Sequence, residues 1–74
     1  IEAELALARQ AQQQARQVAE LADRRSAALG RVLEGAERSY SEGETSYLDL
    51  LRARTAWLEA RRQQVETHVA ALRA

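Results

Sequence analysis

A chain of 74 residues is long enough for one small structural unit, and Ala, Leu, Arg and Glu make up most of it. This composition is typical of long helices or coiled coils rather than of a globular core, and the lack of proline suits uninterrupted helices. The 11 basic and 11 acidic residues cancel and form no long run of like charge, which excludes the electrostatic footprint of a nucleic-acid-binding domain.

The first helical run, helix 1, covers about residues 1–42 and repeats its apolar residues in steps of three and four. This spacing predicts a heptad seam, that is, a stripe that packs along a partner helix. The predicted seam is Ile1, Leu5, Ala8, Gln12, Ala15, Ala19, Ala22, Ser26, Leu29, Leu33, Ala36 and Tyr40. A weaker stripe lies beside it, which we name the first stripe: Leu7, Ala11, Val18, Leu21, Ala28 and Val32. Two stripes on one helix predict contact with more than one neighbour.

Two glycines, Gly30 and Gly35, lie inside helix 1, where each costs up to about 1 kcal/mol relative to Ala. Two interpretations remain open for them. Either the long helix simply tolerates them, or a neighbouring residue approaches the backbone closely at these positions.

The segment between the two runs carries the signals of a turn, the tip, at about residues 41–46. Gly43 is suited to the left-handed conformation that closes a helix. Ser46 followed by Asp49 has the spacing of an N-cap and its third helical residue. Helix 2 therefore begins near residue 46 and continues to 74.

Helix 2 has an apolar stripe that recurs every seven residues, which we name the second stripe: Leu51, Leu58, Val65 and Leu72. A neighbouring row contains smaller residues: Leu50, Ala53, Trp57, Ala60, Gln64, Thr67 and Ala71. We interpret Trp57 as a wedge that fills the space left by alanines in the seam.

A tip of a few residues forces the helices to pack antiparallel, so the predicted fold is an all-α, two-helix coiled-coil hairpin over residues 1–74. The numbers of facing residues should add up to about 86, which pairs Leu29 with Trp57. Residues 1–11 then have no partner, and the hairpin is expected to self-associate. Both ends of the chain lie within the helical pattern, so we expect a piece of a longer protein.

The residues around the tip carry a family resemblance. Their order resembles the periplasmic hairpin of TolC-type outer-membrane efflux channels: Ala36-Glu37, Tyr40, Gly43, Ser46, Leu48-Asp49, Leu51 and Ala53. The following stretch, LRARTAWLEARRQQVE, is similar to the second descending helix of that family. The resemblance is strongest over residues 36–66 and is nearest to the heavy-metal efflux branch.

The resemblance implies a homotrimeric parent in a Gram-negative bacterium, with a β-barrel in the outer membrane and an α-helical barrel in the periplasm. Each protomer would contribute hairpins to the wall of the helical barrel. The tips would dock a periplasmic adaptor protein and, through it, an inner-membrane transporter. The exported substrate would leave chemically unchanged, with no cofactor.

The same resemblance assigns roles to individual residues. Gly43 matches the tip glycine that docks the adaptor, and the adjoining turn is Glu44, Thr45 and Ser46. Tyr40 matches a tyrosine that helps to hold the closed state, and Asp49 matches an acidic residue near the channel entrance. Arg52 stands where many members carry a second acid, so a double acidic ring is in doubt, and Arg52 has the spacing to pair with Asp49.

Simpler roles stand beside these. Asp49 also suits the first turn of a helix, and the two tyrosines also suit the end of the seam. His68 has no Cys or second His to complete a zinc site and is interpreted as a seam or surface residue. No nucleophile–base pair or phosphate-binding loop indicates an enzyme.

Two other functions compete with the channel hairpin. The first is the hairpin of the adaptor itself, whose tip usually carries an Arg and a Leu where this chain has Tyr40 and Ser41. The second is a purely structural coiled-coil arm, which predicts nothing special at Gly43.

Overall fold

The computed structural model describes residues 1–73 as two antiparallel helices, α1 at Glu2–Ser41 and α2 at Tyr47–Arg73, joined by a short turn. The prediction of an all-α helical hairpin is confirmed. The hairpin is a rod of 63 × 13 × 12 Å. Its length is that of α1 alone, because 40 helical residues extend about 60 Å at 1.5 Å each.

The predicted seam of helix 1 packs against α2 from Gln12 to Ala36. Its most buried members are Ala19, Ser26 and Leu33, each at most 8% exposed. Towards the tip the seam opens, and Tyr40 is 43% exposed. The first stripe lies to one side of the seam and remains uncovered, with Val18 and Leu21 more than half exposed.

In α2 the row of smaller residues, not the second stripe, forms the seam. Leu50 and Ala60 are buried and Trp57 is half-buried, whereas Leu58 and Val65 are 54% and 59% exposed. Of the two rows predicted in helix 2, the inner one is therefore the row that contains Trp57, the residue interpreted as a wedge in the seam. The inner row contains Trp57, the largest apolar side chain of α2, together with Leu50, and Ala60 lets the helices approach closely.

Gly30 and Trp57 show why this row packs inwards. A Cβ atom at Gly30 would lie 3.3 Å from Trp57 Nε1, so the indole rests directly against the backbone of α1. The numbers of these facing residues add up to 87, one more than predicted. Residues 1–11 extend beyond α2 and are exposed, as predicted.

We expect Gly35→Ala to raise the free energy of unfolding by about 1 kcal/mol, because alanine favours the helix and its Cβ would enter open space. Gly30→Ala should stabilise less or destabilise, since Trp57 must move to admit the same atom. Urea unfolding of both variants measures the difference. Equal stabilisation would contradict the close contact between Gly30 and Trp57.

Candidate docking site at the hairpin tip

Helix α1 ends in a closed, hydrogen-bonded turn. The backbone N–H of Glu44 donates to Ser39 O at 2.8 Å, and that of Gly43 donates to Tyr40 O at 3.0 Å. Together with the positive φ of 77° at Gly43, this pair of bonds is a Schellman motif. The positive φ is the reason that glycine suits this position. Crowding is not, since a Cβ atom would meet no neighbour within 4 Å.

Helix α2 begins with the predicted side-chain cap. Ser46 Oγ accepts the backbone N–H of Asp49 at 3.2 Å, and Ser46 O accepts that of Leu50 at 3.2 Å. The cap satisfies a donor that would otherwise lack a partner at the helix N-terminus. Both helix ends at the tip are thus fixed by local bonds, which holds the turn in one shape.

The two tyrosines lie together below the turn. The ring centroids of Tyr40 and Tyr47 are 5.7 Å apart with a tilt of 51° between the ring planes, and both side chains remain about half exposed. Such tilted contacts add about 0.5–1.5 kcal/mol beyond area burial. The contact joins the last turn of α1 to the first turn of α2.

The charged pair predicted within α2 is present. Arg52 Nη1 lies 3.7 Å from Asp49 Oδ1, and both side chains are more than half exposed. Exposed pairs of this kind contribute little to stability. The carboxylate of Asp49 is therefore both a first-turn residue of the helix and accessible at the surface.

The tip as a whole presents polar surface on a rigid backbone. Gly43, Glu44 and Ser46 are exposed, and Thr45 is half-buried. The residues predicted for the docking site thus form the turn itself, Tyr40 and Asp49 lie within three residues of it, and Arg52 lies about one helical turn further along α2. This arrangement suits contact with another protein, since the turn needs no reordering when it is covered.

A second polar cluster was missed in the sequence. Asp23 Oδ1 lies 2.7 Å from His68 Nε2 and accepts a hydrogen bond from Gln64 Nε2 at 2.8 Å. Arg61 Nη1 extends the cluster by donating to Gln64 Oε1 at 3.0 Å. We name Asp23, His68 and Gln64 the clasp. Folding the chain about Gly43 places Asp23 near Gln64 and His68, a signal that the sequence does contain.

The clasp changes the acidity of its carboxyl group. The hydrogen bonds from His68 and Gln64 lower the pKa of Asp23 below its ordinary value of 3.8. On the outer face of α2, the hydrogen bond from Arg62 likewise lowers the pKa of Glu59. Arg62 also contacts Glu66 at 2.9 Å, so the side-chain contacts among Glu59, Arg62 and Glu66 all lie within α2.

The two helices carry neither a membrane span nor a metal cluster in the part of the chain that the structure describes. Over residues 1–73, neither helix contains a segment that is both long and apolar enough to span a membrane. The same residues include no group of three or more His, Cys, Asp or Glu side chains placed to hold a metal ion. No protein family, curated protein or solved structure matches the chain.

Proposed function

We propose that this chain is a periplasmic tip hairpin of an outer-membrane efflux channel. Its tip docks a periplasmic adaptor protein that connects to an inner-membrane transporter, and its helices form part of the wall of the channel in a homotrimeric parent. The observation that carries the proposal is the pair of apolar stripes that the hairpin leaves uncovered on opposite sides.

The two stripes lie on opposite sides of the helix pair. In each helix the seam residues occupy positions a and d of the heptad. The first stripe then occupies positions c and g of α1, and the second stripe occupies position b of α2. In an antiparallel pair the g positions of both helices share one side and the e positions share the other. One surface groove accordingly contains Val18, Leu21 and Gln63, and a different groove contains Gly30, Trp57 and Leu58.

This placement suits a row of hairpins standing side by side. The first stripe of one hairpin faces outwards from α1, and the second stripe of the next faces outwards from α2, so each contact joins unlike surfaces. Contacts of this head-to-tail type close into rings when the rotation between copies permits. A coiled-coil arm acting alone needs only the seam, so the stripes favour the wall of a barrel over a structural arm.

The tip supports the docking part of the proposal. The turn is fixed by its own hydrogen bonds and lies at the extreme end of a 63 Å rod, where a partner reaches it without disturbing the seam. The resemblance of residues 36–66 to the channel family adds the identity of that partner. The positions before Gly43 are Tyr40, Ser41 and Glu42, which favours the channel over the adaptor.

Side-by-side assembly is tested with two charged variants of the hairpin. The pair Val18→Glu and Leu21→Glu disables the first stripe, and the pair Leu58→Glu and Val65→Glu disables the second. We expect the unmodified hairpin to form larger assemblies as its concentration rises in sedimentation experiments. Each variant alone should stay monomeric, and an equimolar mixture should stop at a heterodimer, because one intact contact remains.

The matched control adds the same two negative charges on the polar outer face of α1, as Gln10→Glu and Gln17→Glu. These positions are exposed and lie outside both stripes, so this variant should assemble like the unmodified hairpin. Homodimers of either stripe variant would indicate a two-fold contact between like surfaces and contradict the wall. A hairpin that stays monomeric at every concentration would contradict it as well.

A further inference from the structure

The seam is unevenly built along the hairpin. Near the tip it contains its large apolar side chains: Leu29, Leu33, Leu50 and Trp57. Towards the open end, the half opposite the tip, it contains mainly small residues: Ala15, Ala19, Ala22, Thr67 and Ala71. Because stabilisation by burial grows with the apolar area removed from water, the open end is held less strongly by apolar packing.

The clasp lies in this weakly packed half. Within residues 1–73, the side-chain hydrogen bonds that cross between the helices are the two that Asp23 Oδ1 receives from Gln64 and His68. Gln64 occupies a seam position, where a polar side chain without a partner would be costly. Asp23 therefore both satisfies Gln64 and ties α2 to α1 at a point where alanines provide little area.

We propose that the clasp is an acid-sensitive latch: it holds the open end of the hairpin closed, and its release lets the helices separate there while the half next to the tip stays paired. This inference rests on the seam and the clasp alone and is independent of the proposed function. Opening of the latch would therefore be confined to the half of the hairpin far from the tip, which buries the least apolar area.

The charges around the clasp define the direction of the response. By heptad position, α1 also presents Arg16 and Glu20 on this side, and α2 presents Arg61, which is engaged with Gln64. The lowered pKa of Asp23 means that its contribution is complete above pH 3.8 and is lost as the pH falls through the lower, folded value. The pKa of Glu59 is lowered mainly by the hydrogen bond from Arg62 within α2 and to a smaller extent by the charge of Arg25 on α1, and neither residue belongs to the clasp.

Pairs of spin labels on the 74-residue chain test the latch, with labelled chain diluted into unlabelled chain. One pair, at Arg16→Cys and Ala70→Cys, reports the open end, and a second, at Glu37→Cys and Arg54→Cys, reports the tip half. At about pH 7 both distance distributions should be narrow. When the pH is lowered from neutral through the folded pKa of Asp23, the open-end distribution should broaden at least about twofold while the tip pair stays narrow.

Variants separate the latch from general acid effects. Asp23→Ala should broaden the open-end distribution at neutral pH, whereas Asp49→Ala, which removes an exposed carboxylate near the tip, should leave it narrow. Adding Gln64→Leu to Asp23→Ala should restore a narrow open-end distribution at neutral and at acid pH, because apolar packing then replaces the hydrogen bonds to Asp23. A narrow open-end distribution in Asp23→Ala, or acid broadening of both pairs together, would overturn the proposal.

Discussion

In the trimeric efflux channel proposed above, Gly43→Trp should abolish export while leaving trimer assembly intact. Gly43 has a φ of 77°, so any β-carbon there costs about 1 kcal/mol in backbone strain. That cost falls on one turn at the end of a long seam, and the added side chain enters open space within the hairpin. The indole would instead stand on the surface that the adaptor is proposed to cover.

The assay for this prediction is resistance of cells to the exported compound, with the trimer level measured in parallel. Gly43→Ala carries the same strain without the bulk and should retain much of the resistance. Arg24→Ala, on the exposed outer face of α1, should retain all of it. Full resistance of Gly43→Trp cells at a normal trimer level would show that this turn does not dock a partner, whether or not the stripes assemble.

The largest loss of stability is expected for Trp57→Ala, at about 2–4 kcal/mol. This loss is smaller than the largest losses found when a fully buried aromatic residue is replaced by alanine, because Trp57 is only half-buried. The indole covers the backbone at Gly30, so its removal opens a cavity between the helices that neither neighbour fills. Since small hairpins are marginally stable, the variant should be largely unfolded at room temperature.

Leu58→Ala is the matched control for this second prediction. Leu58 lies next to Trp57 in sequence but is 54% exposed on the outer side of α2. Its removal should cost less than about 1 kcal/mol when unfolding is followed by circular dichroism at low concentration, where self-association is weak. Equal losses for both variants would mean that the seam runs through the second stripe instead.

Much of the fold was predictable because its signals are local. The three-and-four spacing located the α1 seam, and Gly43 and Ser46 located the turn through the conformations and caps that these residues provide. The choice of seam in α2 was not local. Both rows of α2 have helical spacing, and the contact of Trp57 with Gly30 across the hairpin favours the inner row.

The candidate site divides in the same way. The tip residues are contiguous in sequence, so their grouping followed from the turn. The clasp joins residues 45 positions apart, and neither Asp23 nor His68 belongs to a recognisable motif. Their contact depends on the register in which the two helices pair, and that register is known only once the position of the turn is known.

The closed turn at Gly43 also orders the events of folding. Tyr40 and Tyr47 are only seven positions apart, so the loop that brings them together is short and closes fast. Each later seam contact then adds a small loop to an existing pair, as in a zipper. The bond between Asp23 and His68 has the longest separation of the cross-helix hydrogen bonds, so the clasp forms late and should break early when the hairpin unfolds.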